Sequence, residues 1–168
     1  MSQEKSKPAI ISANGCGCLV LLMCIGLITA IALPSYLNMA NKAKQSEGKQ
    51  YVSSINKGQQ AKFAENGTFS TSVDNLGLGI KTETTNYKYS VRATKQAAFN
   101  YAVSKHKTEK SYVGGVFLVP AYPNAAKDEM TITSILCEAD DRVTIEPLKP
   151  TYQNGNFICG KGTTAVTK

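Results

Sequence analysis

The chain has 168 residues, 42% hydrophobic and 18% charged, which is the length of one domain and the composition of a folded one. Wholesale disorder, a collagen-like repeat and a multi-span membrane protein are excluded. With 19 Lys+Arg against 12 Asp+Glu the net charge is +7, and one His with no Trp leaves little material for His-based metal or acid–base chemistry.

The charges are unevenly spread. Residues 8–41 carry none, and nearly all the charge falls in the rest of the chain. Within that stretch, residues 16–33 read CGCLVLLMCIGLITAIAL, diluted only by Gly17, Gly26 and Thr29. A bilayer core takes about 20 helical residues, and adding residues 34–37 reaches that length. A helix satisfies its own backbone in lipid. The pattern predicts a membrane anchor ahead of a soluble domain. A buried core helix would carry interspersed polar positions, and a cleaved secretory signal would be shorter and end in a small-x-small site. A lipoprotein signal is disfavoured because Cys16 precedes the apolar core. Lys5 and Lys7 favour a cytoplasmic N-terminus, whereas Lys42, Lys44 and Lys49 oppose it. Cys16, Cys18 and Cys24 read as small apolar packing residues, with acylation of Cys16 or Cys18 as the alternative.

After Pro34 the sequence predicts an amphipathic helix over residues 38–65. Ala40, Ala43, Tyr51, Val52, Ile55 and Phe63 make a thin apolar stripe, with lysines at most other faces. Gly48 and Gly58 permit close approach of a neighbour, and Asn66-Gly67 supplies the stop. Joined to the apolar run, residues 17–65 would form one helix of roughly 70 Å. A kink or local melting is expected at Pro34.

Residues 66–85 read as a loop. Tyr87, Tyr89 and Val91 alternate with polar residues, and Phe99, Tyr101 and Val103 repeat the pattern. Residues 112–119 form a third strand, with Gly114-Gly115 marking a bulge or a close backbone approach, and residues 130–137 a fourth. Short gaps favour an antiparallel meander. The stripe at Tyr51, Val52, Ile55 and Phe63 is the predicted cover. The fold class is therefore α+β, a long N-terminal helix packed on a C-terminal antiparallel sheet. Cys137 and Cys159 can pair if this part lies outside the cytosol, which would stabilise it by about 3 kcal/mol.

At this point the residues resemble a known family. The segment IGLITAIALPSYLNMANKAKQSE, the long helix and the Cys-bearing β domain are similar to type IV pilins. The stretches AKQSEGKQYVSSINKGQQAKF, ENGTF, DNLGLGIKTETTNYKYSV and ILCEA resemble the cyanobacterial type IV pilin-like G/H group. The resemblance implies a leader-like segment at 1–15, a transmembrane and assembly helix at 16–37, an amphipathic helix at 38–65 and a β head at 66–168. It implies membrane and assembly contacts through Leu19, Leu22, Ile25, Gly26, Ile28, Ile31, Leu33, Pro34, Tyr36 and Leu37. Expected partners are other pilin subunits, the pilus assembly machinery and the lipid bilayer, with roles in motility, adhesion or DNA uptake and no cofactor. One departure stands out. Pilins carry Glu at the fifth mature position, but counting back from Pro34 that position is Gly17; a cut between Gly15 and Cys16 puts Val20 there instead. Prepilin peptidase processing at Gly15 and Cys16 is thus an open expectation. A Glu in lipid costs a few kcal/mol and is held for a partner, so its absence points to a minor or accessory subunit at the membrane or on the surface pilus.

Other functions have weaker support. His106 sits between Lys105 and Lys107 in a polar turn; Glu138, Asp140 and Asp141 form an acidic loop without EF-hand spacing; no nucleotide-binding, zinc or nucleophile motif occurs. No catalytic, cofactor or metal residue is expected. Asn66-Gly67-Thr68 matches a glycosylation sequon but reads as a turn. Lys57 and Lys62 with the net charge make DNA a weak candidate partner. The alternative is a single-pass, membrane-anchored extracytoplasmic binding domain that never enters a filament.

Overall fold

A computed structural model describes residues 15–122 and 129–167, and the side chains of these apart from 15–20, 28–35, 37 and 167. The leader-like segment before Gly15 lies outside the described residues. The elements are helix α1 (Gly15–Asn66), a short 3-10 turn (Asp74–Leu76), and strands β1 (Tyr87–Ala93), β2 (Ala97–Ser104), β3 (Tyr112–Pro120), β4 (Met130–Ala139), β5 (Thr151–Gln153), β6 (Asn156–Ile158) and β7 (Thr163–Thr167). The chain divides into two units, residues 1–39 and 40–168. The helical bounds run through Pro34 without a break, so the local melting expected there is not observed.

The second unit is α+β. Its sheet has the order β1-β2-β3-β4-β7, antiparallel throughout, and β5-β6 forms a separate hairpin. The helical residues from 40 onward pack on one face. Val52 and Ile55 are fully buried against Tyr87, Tyr89, Ala102, Tyr112 and Leu136, with Tyr51 beside them. Burying two such side chains contributes about 1.5–3 kcal/mol each. Phe63 packs with Phe69, Ala98 and Val116 near the end of the helix. Ala40 is half-buried and Ala43 exposed, so neither joins the stripe to which the spacing assigned them. The helix stops as expected: Gly67 takes φ +68°, and its N–H donates to the Phe63 carbonyl at 2.7 Å.

The sheet is covered on both faces, which the sequence reading did not foresee. In register, Val91, Asn100, Gly114 and Leu136 form one row on the helix side. Phe99, Tyr101 and Val113 therefore point to the opposite face, not to the helix. There they join Phe117, Val119, Ile135 and Cys137 under Tyr152, Phe157 and Cys159. Gly114 and Ala102 leave room where the helix crosses, Tyr87, Tyr89 and Tyr112 pack beside it, and Phe99, Tyr101 and Phe117 fill the face covered by the chain after β4. Gly114-Gly115 serves both sides. A side chain at Gly114 would overlap the Asn56 amide, and one at Gly115 would come within 2.7 Å of Pro150. The close approach predicted for this pair is thus its function in the fold.

Candidate assembly interface

Residues 21–27 form nearly two helical turns, so they occupy every side of α1. Leu21, Leu22, Met23, Ile25 and Leu27 are 50–74% exposed, and Tyr36 and Met39 about as much. A helix apolar on all sides is normally enclosed by lipid or by other helices, and exposed apolar patches of this kind mark interaction surfaces. Of the expected membrane and assembly residues, Leu22, Ile25, Gly26 and Tyr36 are described, and all four are exposed. Cys16, Leu19, Ile28, Ile31, Leu33, Pro34 and Leu37 fall within the bounds of α1, but their side chains lie outside the described residues; Gly15 opens the helix. Cys24 is exposed and unpaired. Among the described residues, no helix is long and apolar enough to cross a membrane.

The second unit holds its stretch of α1 by polar contacts that the sequence did not disclose. Glu47 accepts hydrogen bonds from Thr84 Oγ1 at 2.6 Å, Asn86 Nδ2 at 2.7 Å and Tyr89 Oη at 3.2 Å. One turn above Val52, Asn56 Nδ2 donates to the Ile135 carbonyl at 3.1 Å while Asn56 Oδ1 accepts from Asn100 Nδ2 at 2.7 Å. Gln59 clamps the Ser70 backbone from both sides, accepting from its N–H at 2.8 Å and donating to its carbonyl at 2.9 Å. Gln60 reaches the Ile132 carbonyl at 3.5 Å. The Ile132 and Ile135 carbonyls belong to β4, where β7 pairs only with the last part of the strand. Helix amides thus do work that a neighbouring strand would otherwise do.

Near the start of this stretch Lys44 pairs with Glu109 at 3.3 Å. Glu109 is fully buried and also accepts from Thr108 Oγ1 at 2.8 Å. Three tyrosines complete the region. Tyr87 Oη donates to the Lys110 carbonyl at 3.0 Å, and Tyr112 Oη to Glu138 at 3.0 Å. Burial raises the pKa of Tyr87, and the Glu109 and Glu47 carboxylates raise it further. Burial and then Glu47 do the same for Tyr89, and burial and then Glu138 for Tyr112. These hydroxyls are held neutral as donors.

Cys137 and Cys159 form the disulfide their spacing allowed, with Cα atoms 5.8 Å apart. It ties the end of the β5-β6 hairpin to β4 and closes the outer layer over Phe99 and Phe117. The profile of the family described as type IV pilin-like G and H matches residues 45–160. The chain belongs to the type IV pilin-like G and H family. No curated protein and no solved structure matches it. The match spans most of the docked part of α1, strands β1 to β6 and both cysteines of the disulfide, stops before β7, and begins after the apolar stretch at 21–27. Family membership in this pilin-like chain is therefore written in the head and in the helix face beneath it.

The remaining candidates are dispersed. His106 is exposed in the β2–β3 turn, 3.2 Å from the Thr85 carbonyl. Glu138 is engaged by Lys110 at 2.7 Å and by Tyr112, while Asp140 accepts from Thr164 at 2.6 Å. Among the described residues no group of three or more His, Cys, Asp or Glu could hold a metal ion. Lys57 is exposed and Lys62 half-buried on the helix. Asn66, in the sequon, is exposed at the helix stop.

Proposed function

We propose that this pilin-like chain is a membrane-anchored minor or accessory subunit of a type IV pilus or a related secretion filament, and that its mechanism is assembly, not catalysis. The observation that carries the reading is the helical stretch at 21–27, apolar and exposed on every side, on a chain of pilin-like family. Such a segment rests in lipid and exchanges lipid contacts for helix–helix contacts in a filament core. Both environments are apolar, so the free-energy difference is small. On this reading the assembly helix covers residues 16–37, the amphipathic part residues 38–65 and the head residues 66–168. The head stands outside the cytosol, where its disulfide persists. Partners are other pilin subunits and the assembly machinery. The missing Glu removes the charge by which an incoming subunit would dock, which favours a minor position over the fibre body.

The test is fractionation of native cells followed by mass spectrometry of sheared filaments. The reading expects the chain in membranes after alkaline carbonate washing and at low stoichiometry in filaments. A dominant filament signal overturns the minor role. Membrane retention with no filament signal selects the anchored binding domain instead. A freely soluble cytosolic chain with reduced Cys137 and Cys159 overturns both. N-terminal sequencing of the same material reports whether cleavage falls between Gly15 and Cys16.

A further inference from the structure

The outer face of the sheet carries a cleft that the assembly reading does not use. It lies where the outer layer stops short of the far end of β3 and β4, has a volume of about 430 Å³, and is lined by Val119, Thr131, Thr133, Tyr152, Asn154 and Phe157. Tyr122 lines it too, with its hydroxyl donating to Glu129. Outward-facing positions along β4 run Cys137, Ile135, Thr133, Thr131, so the strand turns from apolar to hydroxylic where the cover ends. The hairpin supplies the other wall. Asn154 at φ +51° and Gly155 at φ +80° form its two-residue turn, which fixes Tyr152 against Phe157 with ring centroids 4.9 Å apart.

The lining has a definite chemical character. Among the described residues, the hydroxyls of Thr131, Thr133 and Tyr152 and the side-chain amide of Asn154 have no hydrogen-bond partner, whereas Tyr87, Tyr89, Tyr112 and Tyr122 all spend theirs inside the chain. Among the described residues, no charged side chain lines the cleft. It therefore offers uncharged donors and acceptors beside an aromatic ring. A phosphate or carboxylate ligand would call for Arg, Lys or an array of N–H donors. A purely apolar ligand would leave four polar groups desolvated. A ligand with hydroxyls around its rim and C–H groups on its faces meets both demands, because the hydroxyls exchange with Thr131, Thr133 and Asn154 while a C–H face lies on the Tyr152 ring. We propose that this cleft binds a neutral saccharide of one or two sugar rings, the amount a pocket of this size encloses. This goes beyond the assembly reading and does not rest on it.

The experiment uses the full chain in a phosphocholine detergent, since maltoside headgroups are themselves neutral disaccharides. Neutral oligosaccharides of glucose, galactose, mannose and xylose, with glucuronic acid as the anionic comparison, are titrated by calorimetry and saturation-transfer NMR. The expected result is saturable binding of at least one neutral sugar. Tyr152→Ala weakens it by about tenfold or more, Thr133→Val by about threefold or more, and Tyr152→Phe leaves it within about threefold. Far-UV circular dichroism and an intact Cys137–Cys159 bond establish that each variant is folded. The proposal is overturned by no saturable binding of any neutral sugar up to about 50 mM, by binding of the acidic sugar alone, or by neutral-sugar binding indifferent to Tyr152→Ala and Thr133→Val in folded protein.

Discussion

Replacing Asn100 by Ala tests whether the buried amides hold the helix on the sheet. Asn100 and Gln59 are fully buried and Asn56 is 3% exposed, so water cannot replace a lost partner without opening the interface. The substitution removes the donor 2.7 Å from Asn56 Oδ1 and the weaker acceptor 3.4 Å from Gln59 Nε2. An orphaned buried acceptor costs about 1–3 kcal/mol, and the small cavity left by the amide adds about 1 kcal/mol. The expected loss is about 2–4 kcal/mol, a fall of about 5–15 °C in the melting temperature for a chain of this size. The same reasoning fixes the sign of the coupling. Asn56→Ala orphans Asn100 Nδ2 and the Ile135 carbonyl, whereas the double variant leaves neither side of the Asn56–Asn100 bond unpaired. The sum of the single losses should therefore exceed the double loss by about 1–3 kcal/mol. Urea titration followed by tyrosine fluorescence and circular dichroism measures all four corners of the cycle. Additivity within about 0.5 kcal/mol, or a loss below about 0.5 kcal/mol for Asn100→Ala alone, would refute the argument.

Three further outcomes follow from the same interface and its outer layer. Reduction of Cys137–Cys159 should lower stability by about 3 kcal/mol for a loop of this length and raise dye binding to the face around Phe99 and Phe117; an unchanged urea midpoint would count against a tie across that layer. Gly48→Ala places a Cβ 2.7 Å from the buried Tyr87 ring and 3.1 Å from that of Tyr112, so overpacking of about 1–3 kcal/mol should exceed the gain in helix propensity of about 1 kcal/mol, and a raised melting temperature would show that the rings yield freely. Tyr87, Tyr89 and Tyr112 are raised above the ordinary tyrosine value of 10.0, so their contribution is complete below about pH 10, where both states hold the proton, and is lost as pH climbs toward the folded values; an absorbance titration at alkaline pH should show these hydroxyls ionising together with loss of the fold, and reversible ionisation of all tyrosines near pH 10 with native circular dichroism would contradict it.

The parts of the fold legible in sequence were those with a periodic signal. Val52, Ile55 and Phe63 announced the buried side of the helix, and Gly114-Gly115 announced a close approach. What escaped was set by register and partner. Nothing local distinguishes Asn100, in the run AFNYAV, from a polar residue facing water. Its burial follows from Gly114 beside it and Asn56 above it, both distant in sequence. Phe99 and Tyr101 alternate correctly, yet alternation does not say which face meets the helix, and the one-residue parity of the β1–β2 pairing decided that. Strands β5 and β6 were overlooked although Asn154-Gly155 is the strongest short signal for a two-residue hairpin. Its flanking strands are only three residues each, too short to alternate visibly. The uncharged stretch at 21–27 was plain from composition. The cleft was not, because Thr131, Thr133, Tyr152 and Asn154 come together only after the outer layer folds back over the sheet.

Helix α1 obeys different rules along its length, and this bears on how orientation is specified. At 21–27 the side chains are apolar around the full circle, so rotation about the axis changes little and that segment alone prefers no azimuth. In the second unit the reverse holds. Sliding the helix by one turn, about 5.4 Å, would replace Asn56 by Gln60 and Gln59 by Phe63, or by Val52 and Ile55 in the other direction. The shift would also put Asn56 and Gln59, or Gly48 and Tyr51, in the places of Val52 and Ile55, so the apolar contact resists it as well. The directional bonds add a further cost: the Ser70 N–H and carbonyl would face a hydrocarbon, at about 1–3 kcal/mol for each group left unpaired. The amides contribute specificity of register more than net stability. The stretch without azimuthal preference can then remain free of charge and polar markers, since the positioning of the head on its own helix is settled by Glu47, Asn56 and Gln59.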